Sequence, residues 1–192
     1  MGFLDALLGR SKPTKPDLDA LFGVSQAALT LEVGVGLKPT GIGAVCFRAN
    51  EGAAFATAQA NLQQLLDADG GPPVEQRVDS YGFTWLVCRQ PADELTDLIT
   101  ELHAVNQTLE DNGFGPSLLC SVVGFAGADG RKVGIVYLYK RGTFYPFVPI
   151  PGTQRRDNAL ELQVRGAVGA DLKIEPEMHR WLAVWDTPAL DG

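Results

Sequence analysis

The sequence predicts an α+β fold, an antiparallel sheet with helices packed on it, and three observations predict it. The block from Phe83 to Tyr139 reads FTWLVC, a long amphipathic stretch, SLLCSVVGF, an Asp-Gly loop and KVGIVYLY. Its strand-type runs are apolar on both faces, which marks sheet positions covered on two sides. From Ile42 onward the elements run strand, helix, strand, strand, helix, strand, with one more strand added through a hairpin. The chain has 192 residues, 45% of them hydrophobic and 20% charged, enough for one full core.

The elements follow from local pattern. Residues 1–16 form a separable segment: Phe3, Leu4, Leu7 and Leu8 cluster as one amphipathic turn or two, and Arg10, Lys12, Pro13, Lys15 and Pro16 make a basic linker. Such a segment either lies on a membrane surface or docks on its own domain or a partner. Residues 17–187 are expected to form one α+β domain, and 188–192 a frayed tail. Asp17 to Ala28 reads as a helix with Leu18, Leu21 and Phe22 at helical spacing. Leu29, Leu31, Val33 and Val35 then alternate with Thr30, Glu32 and Gly34, the pattern of a half-exposed edge strand. Gly36 to Gly43 reads as a loop. Its glycines lack the G-K-[ST] and the strand–turn–helix setting of a phosphate cradle.

Ala44 to Arg48 is a strand, and Asn50 or Glu51 opens a helix with Phe55, Ala58, Leu62, Leu65 and Leu66 on one stripe. Asp69-Gly70-Gly71-Pro72-Pro73 ends it. Val74 to Asp79 alternates as an edge strand. A helix starting at Pro91, a favoured first-turn residue, has Leu95, Leu98, Ile99, Leu102, Val105 and Leu109 on its buried stripe and Asn112-Gly113 as its stop. It bears Asp93, Glu94, Asp97, Glu101, Glu110 and Asp111, a solvated face or a dock for a basic partner. Residues 143–150 form an aromatic arm, with prolines that bar it from a central strand; Phe144, Tyr145 and Phe147 are its candidate partner-binding residues. Residues 159–168 suit a helix, although Leu160, Leu162 and Val164 alternate well enough for a strand. Pro176 opens a last helix with Met178, Trp181, Leu182 and Trp185 on one side.

Chemistry is sparse. The formal charge of −7 argues against generic nucleic-acid binding, which needs Lys and Arg to displace phosphate counterions. Cys46, Cys88 and Cys120 lie far apart in apolar runs without C-x-x-C spacing, as buried free thiols of a reducing compartment. No cleavable signal peptide and no run of about 18 apolar residues stands out, so a cytoplasmic protein is expected. His103 and His179 sit on different elements, outside H-E-x-x-H, and G-x-S-x-G is absent. The carboxylate pairs Asp67/Asp69 and Glu75/Asp79 fall in turn or edge settings. No catalytic, cofactor or metal site is expected, and the protein reads as a non-enzyme. The alternatives are a small α+β enzyme or ligand-binding domain, in which His103, Cys88 or Cys120 would line a pocket.

The element order is the split βαβ order of ferredoxin-like domains, with an extra strand and added helices at both ends covering the second face. A helix–sheet–helix layout like that of secretion-chaperone-like binding modules is the runner-up. Five stretches together, MGFLDALLGRSKP-TKPDLDALF, GLKPTGIGAVCF, DSYGFTWLV, NGFGPSLLCSVVGF and RRDNALEL, resemble one family across nearly the whole chain. This is PspAB, the PspA-associated proteins of actinobacteria; the Arg-, Ala- and Gly-rich, Lys-poor composition fits a GC-rich source. The resemblance implies an accessory protein of the phage-shock, envelope-stress system, acting through contact with a PspA-like protein. It brings no catalytic residues. It points to peripheral membrane contact or partner binding through residues 1–10 and through the aromatic arm.

Overall fold

The structure, a computed structural model, describes residues 16–49, 57, 60, 61, 64 and 73–191. Its frame is a six-stranded sheet of β1 (Leu37–Arg48), β2 (Glu75–Val78), β3 (Phe83–Arg89), β4 (Leu118–Gly127), β5 (Lys132–Leu138) and β6 (Thr143–Phe147). The spatial order is β2-β3-β1-β4-β5-β6, and every neighbouring pair is antiparallel. The chain is therefore α+β. The runs that are apolar on both faces lie inside the sheet: Gly41–Phe47 of β1 and Leu118–Phe125 of β4 are buried apart from the half-buried Leu119. The polar β2 is an edge, as its alternation predicts.

The glycine-rich stretch expected to be a loop is instead the first half of β1. Pro39 and Gly41 fit there because the register with β4 shifts between Pro39 and Gly43. Gly41 has φ +76°, and a Cβ on it would lie 2.1 Å from the Gln90 carbonyl oxygen. The glycine serves strand geometry.

Three α-helices are defined end to end among the described residues: α1 (Gly23–Val35), preceded by a 3-10 turn at Leu18–Phe22, α2 (Leu95–Asp111) and α3 (Asn158–Val168). The edge strand expected at Leu29–Val35 is the second half of α1. Val24, Ala27, Ala28 and Leu31 are buried at helical spacing, whereas Leu29 and Val33 are 62% and 81% exposed. The alternation was produced by apolar residues facing water, and Gly36 at φ +74° closes the helix. The stretch Leu18–Val35 has a mean hydropathy of 1.3 over 18 residues. Its buried side chains pack into the larger core, as an amphipathic core helix does. In α2 all six expected stripe residues are buried, each contributing about 1.5–3 kcal/mol before entropy is subtracted. The helix begins at Leu95, after a turn closed by Glu94 N–H on the Pro91 carbonyl at 2.9 Å. Residues 158–168 are helical, with Asp157 Oδ1 accepting from Leu160 N at 3.0 Å as an N-cap.

The helices do not divide between the two faces as expected. All three contribute to one large core, with Leu31, Leu102 and Val164 meeting Val45, Phe47 and Val123 of the sheet. The second face carries a smaller core closed by the C-terminal segment. That segment is mostly irregular, with a 3-10 turn at Met178–Arg180 where a helix was expected. Its backbone bonds to side chains from elsewhere: Tyr145 Oη donates to Leu182 O at 2.8 Å and Arg156 Nη1 to Trp181 O. The tail expected to fray after Thr187 forms a second turn at Pro188–Leu190, with Ala189 0% and Leu190 8% exposed. It lies over Gly124, where a Cβ would come within 2.2 Å of Ala189 O.

The expected stripe Phe55, Ala58, Leu62, Leu65 and Leu66 lies outside the described residues. Thr57, Ala60, Asn61 and Gln64 are helical and exposed. Of the two crossover helices that a split βαβ order requires, α2 links β3 to β4, and the other would fall within 50–72. The segment with Phe3, Leu4, Leu7 and Leu8 also lies outside the described residues.

Candidate functional site

The aromatic arm is core in this structure. Thr143–Phe147 pairs with β5 as an edge strand, where Pro146 is tolerated. Its outer edge is covered: Phe144 N donates to Lys173 O at 2.9 Å and Glu175 N to Phe144 O at 2.8 Å. Phe144, Tyr145 and Phe147 are at most 1% exposed. Phe144 packs on the helical side and the other two on the second face. These residues stabilise their own domain and offer no surface to a partner.

The second face instead carries a cavity of about 660 Å³ that no sequence motif marks. Antiparallel register sets Cys46 of β1 directly opposite Cys120 of β4, and alternation turns both toward the smaller core with Trp85 and Tyr145. Leu182, Val184 and Trp185 of the C-terminal segment form the opposing wall. At one end of the sheet the lining becomes polar, with Arg48, Asp79, Lys140 and Arg141.

Most polar groups of the lining already have partners. Asp79 Oδ1 accepts from Tyr81 N and Phe83 N, and Oδ2 from Trp85 Nε1, each at 2.9 Å. Arg141 Nε donates to Glu175 Oε2 at 2.6 Å, and Lys140 Nζ to Pro116 O at 2.7 Å. Arg48 has no carboxylate partner among the described residues. Contact with Cys120, reinforced by burial, pushes the Cys46 thiol far above the usual thiol range. Burial pushes the Tyr145 phenol up in the same way. Since thiolate is the reactive form of cysteine, neither burial nor the contact with Cys120 activates Cys46 as a nucleophile. The sequence held one usable signal: strand-type runs apolar on both faces, which require a second apolar layer beside the helical one.

The other candidate residues are not brought together. His103 Nε2 lies 3.1 Å from Asp19 Oδ1, and its ring centroid lies 5.1 Å from that of Phe22, at the boundary of the helical layer. The exposed His179 is 3.3 Å from Glu177 Oε2. Cys88 is fully buried in the larger core, where burial raises its pKa. Burial likewise raises Glu101, against hydrogen bonds from Gln90 and Cys88. No group of three or more His, Cys, Asp or Glu side chains suited to a metal ion occurs among the described residues. Asp93 and Glu94, just before α2, and Asp97 and Asp111 on it face solvent.

A more conspicuous surface lies on α1 and the 3-10 turn before it, where Phe22 is 41% exposed and Leu29 and Val33 are 62% and 81% exposed. The neighbouring α3 adds Leu162 at 47%. Compared with known proteins, the chain matches the family model of PspAB, PspA associated protein B, over residues 1–189. No curated protein and no solved structure matches it.

Proposed function

Because the chain belongs to the PspAB family, we propose that it is a non-enzymatic accessory protein of the bacterial envelope-stress response that acts by direct contact with a PspA-like protein. The family match carries this reading: it covers residues 1–189, and so takes in the helical layer, the sheet and the N-terminal segment together. The contact surface we assign is the outward face of α1 with the turn before it, Phe22, Leu29 and Val33, in place of the buried aromatic arm. Leu29 and Val33, so placed, add little to their own core and are well suited to a partner's apolar face. Residues 1–10, with Phe3, Leu4, Leu7 and Leu8, act as a second contact, to the same partner or to a membrane surface beside it. In this reading the protein works in the cytoplasm, against the membrane only peripherally.

Affinity capture of the tagged chain from its native host, with and without membrane stress, tests the proposal. Enrichment of the PspA-like protein is expected, and reduced enrichment for a chain lacking residues 1–10. Absence of that protein from both captures would count decisively against the reading.

A further inference from the structure

The cavity on the second face is apolar inside and cationic at its mouth, in a chain whose formal charge is −7. We propose that it binds a single-chain anionic amphiphile, specifically a long-chain carboxylate. The hydrocarbon tail would lie over Cys46, Cys120 and Trp85, with the carboxylate at Arg48 and Lys140. The volume of about 660 Å³ falls within the roughly 300–1,000 Å³ of small-molecule sites.

The interior offers a head group no free N–H or O–H donor from its aromatic residues, because Trp85 Nε1 is bonded to Asp79 and Tyr145 Oη to the Leu182 carbonyl. Burying an unpartnered polar group against such a lining costs free energy. A head group therefore belongs at the mouth, and the charges there select its sign. Asp79 accepts three hydrogen bonds and Arg141 is held by Glu175. Arg48 and Lys140 have no carboxylate partner among the described residues. Carboxylate bonds to such cations are charge-assisted, whereas an amine would be repelled and an alcohol would bring no opposite charge. Amphiphile binding at this face does not depend on contact with PspA.

The test titrates the full chain with oleate below its micelle-forming concentration and follows tryptophan fluorescence. It has a built-in reporter, because Trp85 and Trp185 line the cavity and Trp181 stacks on Tyr145. Oleyl alcohol and oleylamine serve as controls, and native mass spectrometry counts bound molecules. A saturable response with one oleate per chain is expected. Affinity should be about tenfold or more lower in the Arg48→Gln/Lys140→Gln double variant, whose two sites are exposed. The proposal is overturned if oleate gives no saturable response, if alcohol or amine binds equally well, or if the double variant binds as the parent does. It is also overturned if oleate binds only after removal of residues 1–15, since the chain's own N-terminus would then be the occupant.

Discussion

Glu175 shows how one residue ties the C-terminal segment to the sheet. Its side chain is 0% exposed, and it accepts from Arg141 Nε at 2.6 Å, Thr143 Oγ1 at 2.7 Å and Glu177 N at 3.2 Å. Burial alone would raise its pKa, but the bonds from Arg141, Thr143 and Glu177 outweigh it and hold the carboxyl below its usual 4.5. A folded pKa below the unfolded one contributes stability that is present above the unfolded value and lost as pH falls through the folded one. The melting temperature should therefore drop on acidification from about pH 5 to about pH 3, and Glu175→Gln should flatten that part of the profile. An unchanged slope in the variant would show that Glu175 does not carry the acid sensitivity. The thiols make a second prediction at this scale. Cys46, Cys88 and Cys120 are 3%, 0% and 6% exposed and unpaired. A thiol reagent should label the native chain slowly and all three sites rapidly after unfolding. Rapid native labelling of Cys88 would misplace β3.

At the scale of elements, the C-terminal turn at Pro188–Leu190 docks only because Gly124 has no side chain. Gly124→Ala must displace the Ala189 backbone, a change that typically costs about 1–3 kcal/mol. The expected result is a lower melting temperature with faster proteolysis after residue 187; an undisturbed melting temperature would contradict the docking. These elements also divide what the sequence makes legible from what it conceals. The strands of the central block and the stripe of α2 were legible because their buried side chains repeat at the period of the element. The second half of α1 was not, because exposed Leu29 and Val33 imitate strand alternation. The C-terminal segment was not either, because its conformation is set by distant groups such as Tyr145, Arg156 and Glu175. The cavity shares that cause: Cys46, Trp85 and Cys120 are far apart in sequence and meet through strand register, and Trp185 reaches them from the irregular C-terminal segment.

Over the whole molecule, the two faces of the sheet differ in kind. One is sealed by three helices; the other is closed by an irregular segment that leaves room for a ligand. The helical layer turns Leu29 and Val33 outward, and these are the residues on which the proposed contact with PspA turns. The most direct test is a binding titration between the purified full chain and purified PspA-like protein, with Leu29→Glu/Val33→Glu as the comparison. Both sites are exposed, so the variant should melt within a degree or so of the parent, as surface substitutions do. A saturable complex is expected, weakened by about tenfold or more in the double variant. A complex that the double variant forms with undiminished affinity, or no complex between the parent proteins, would contradict the proposed contact.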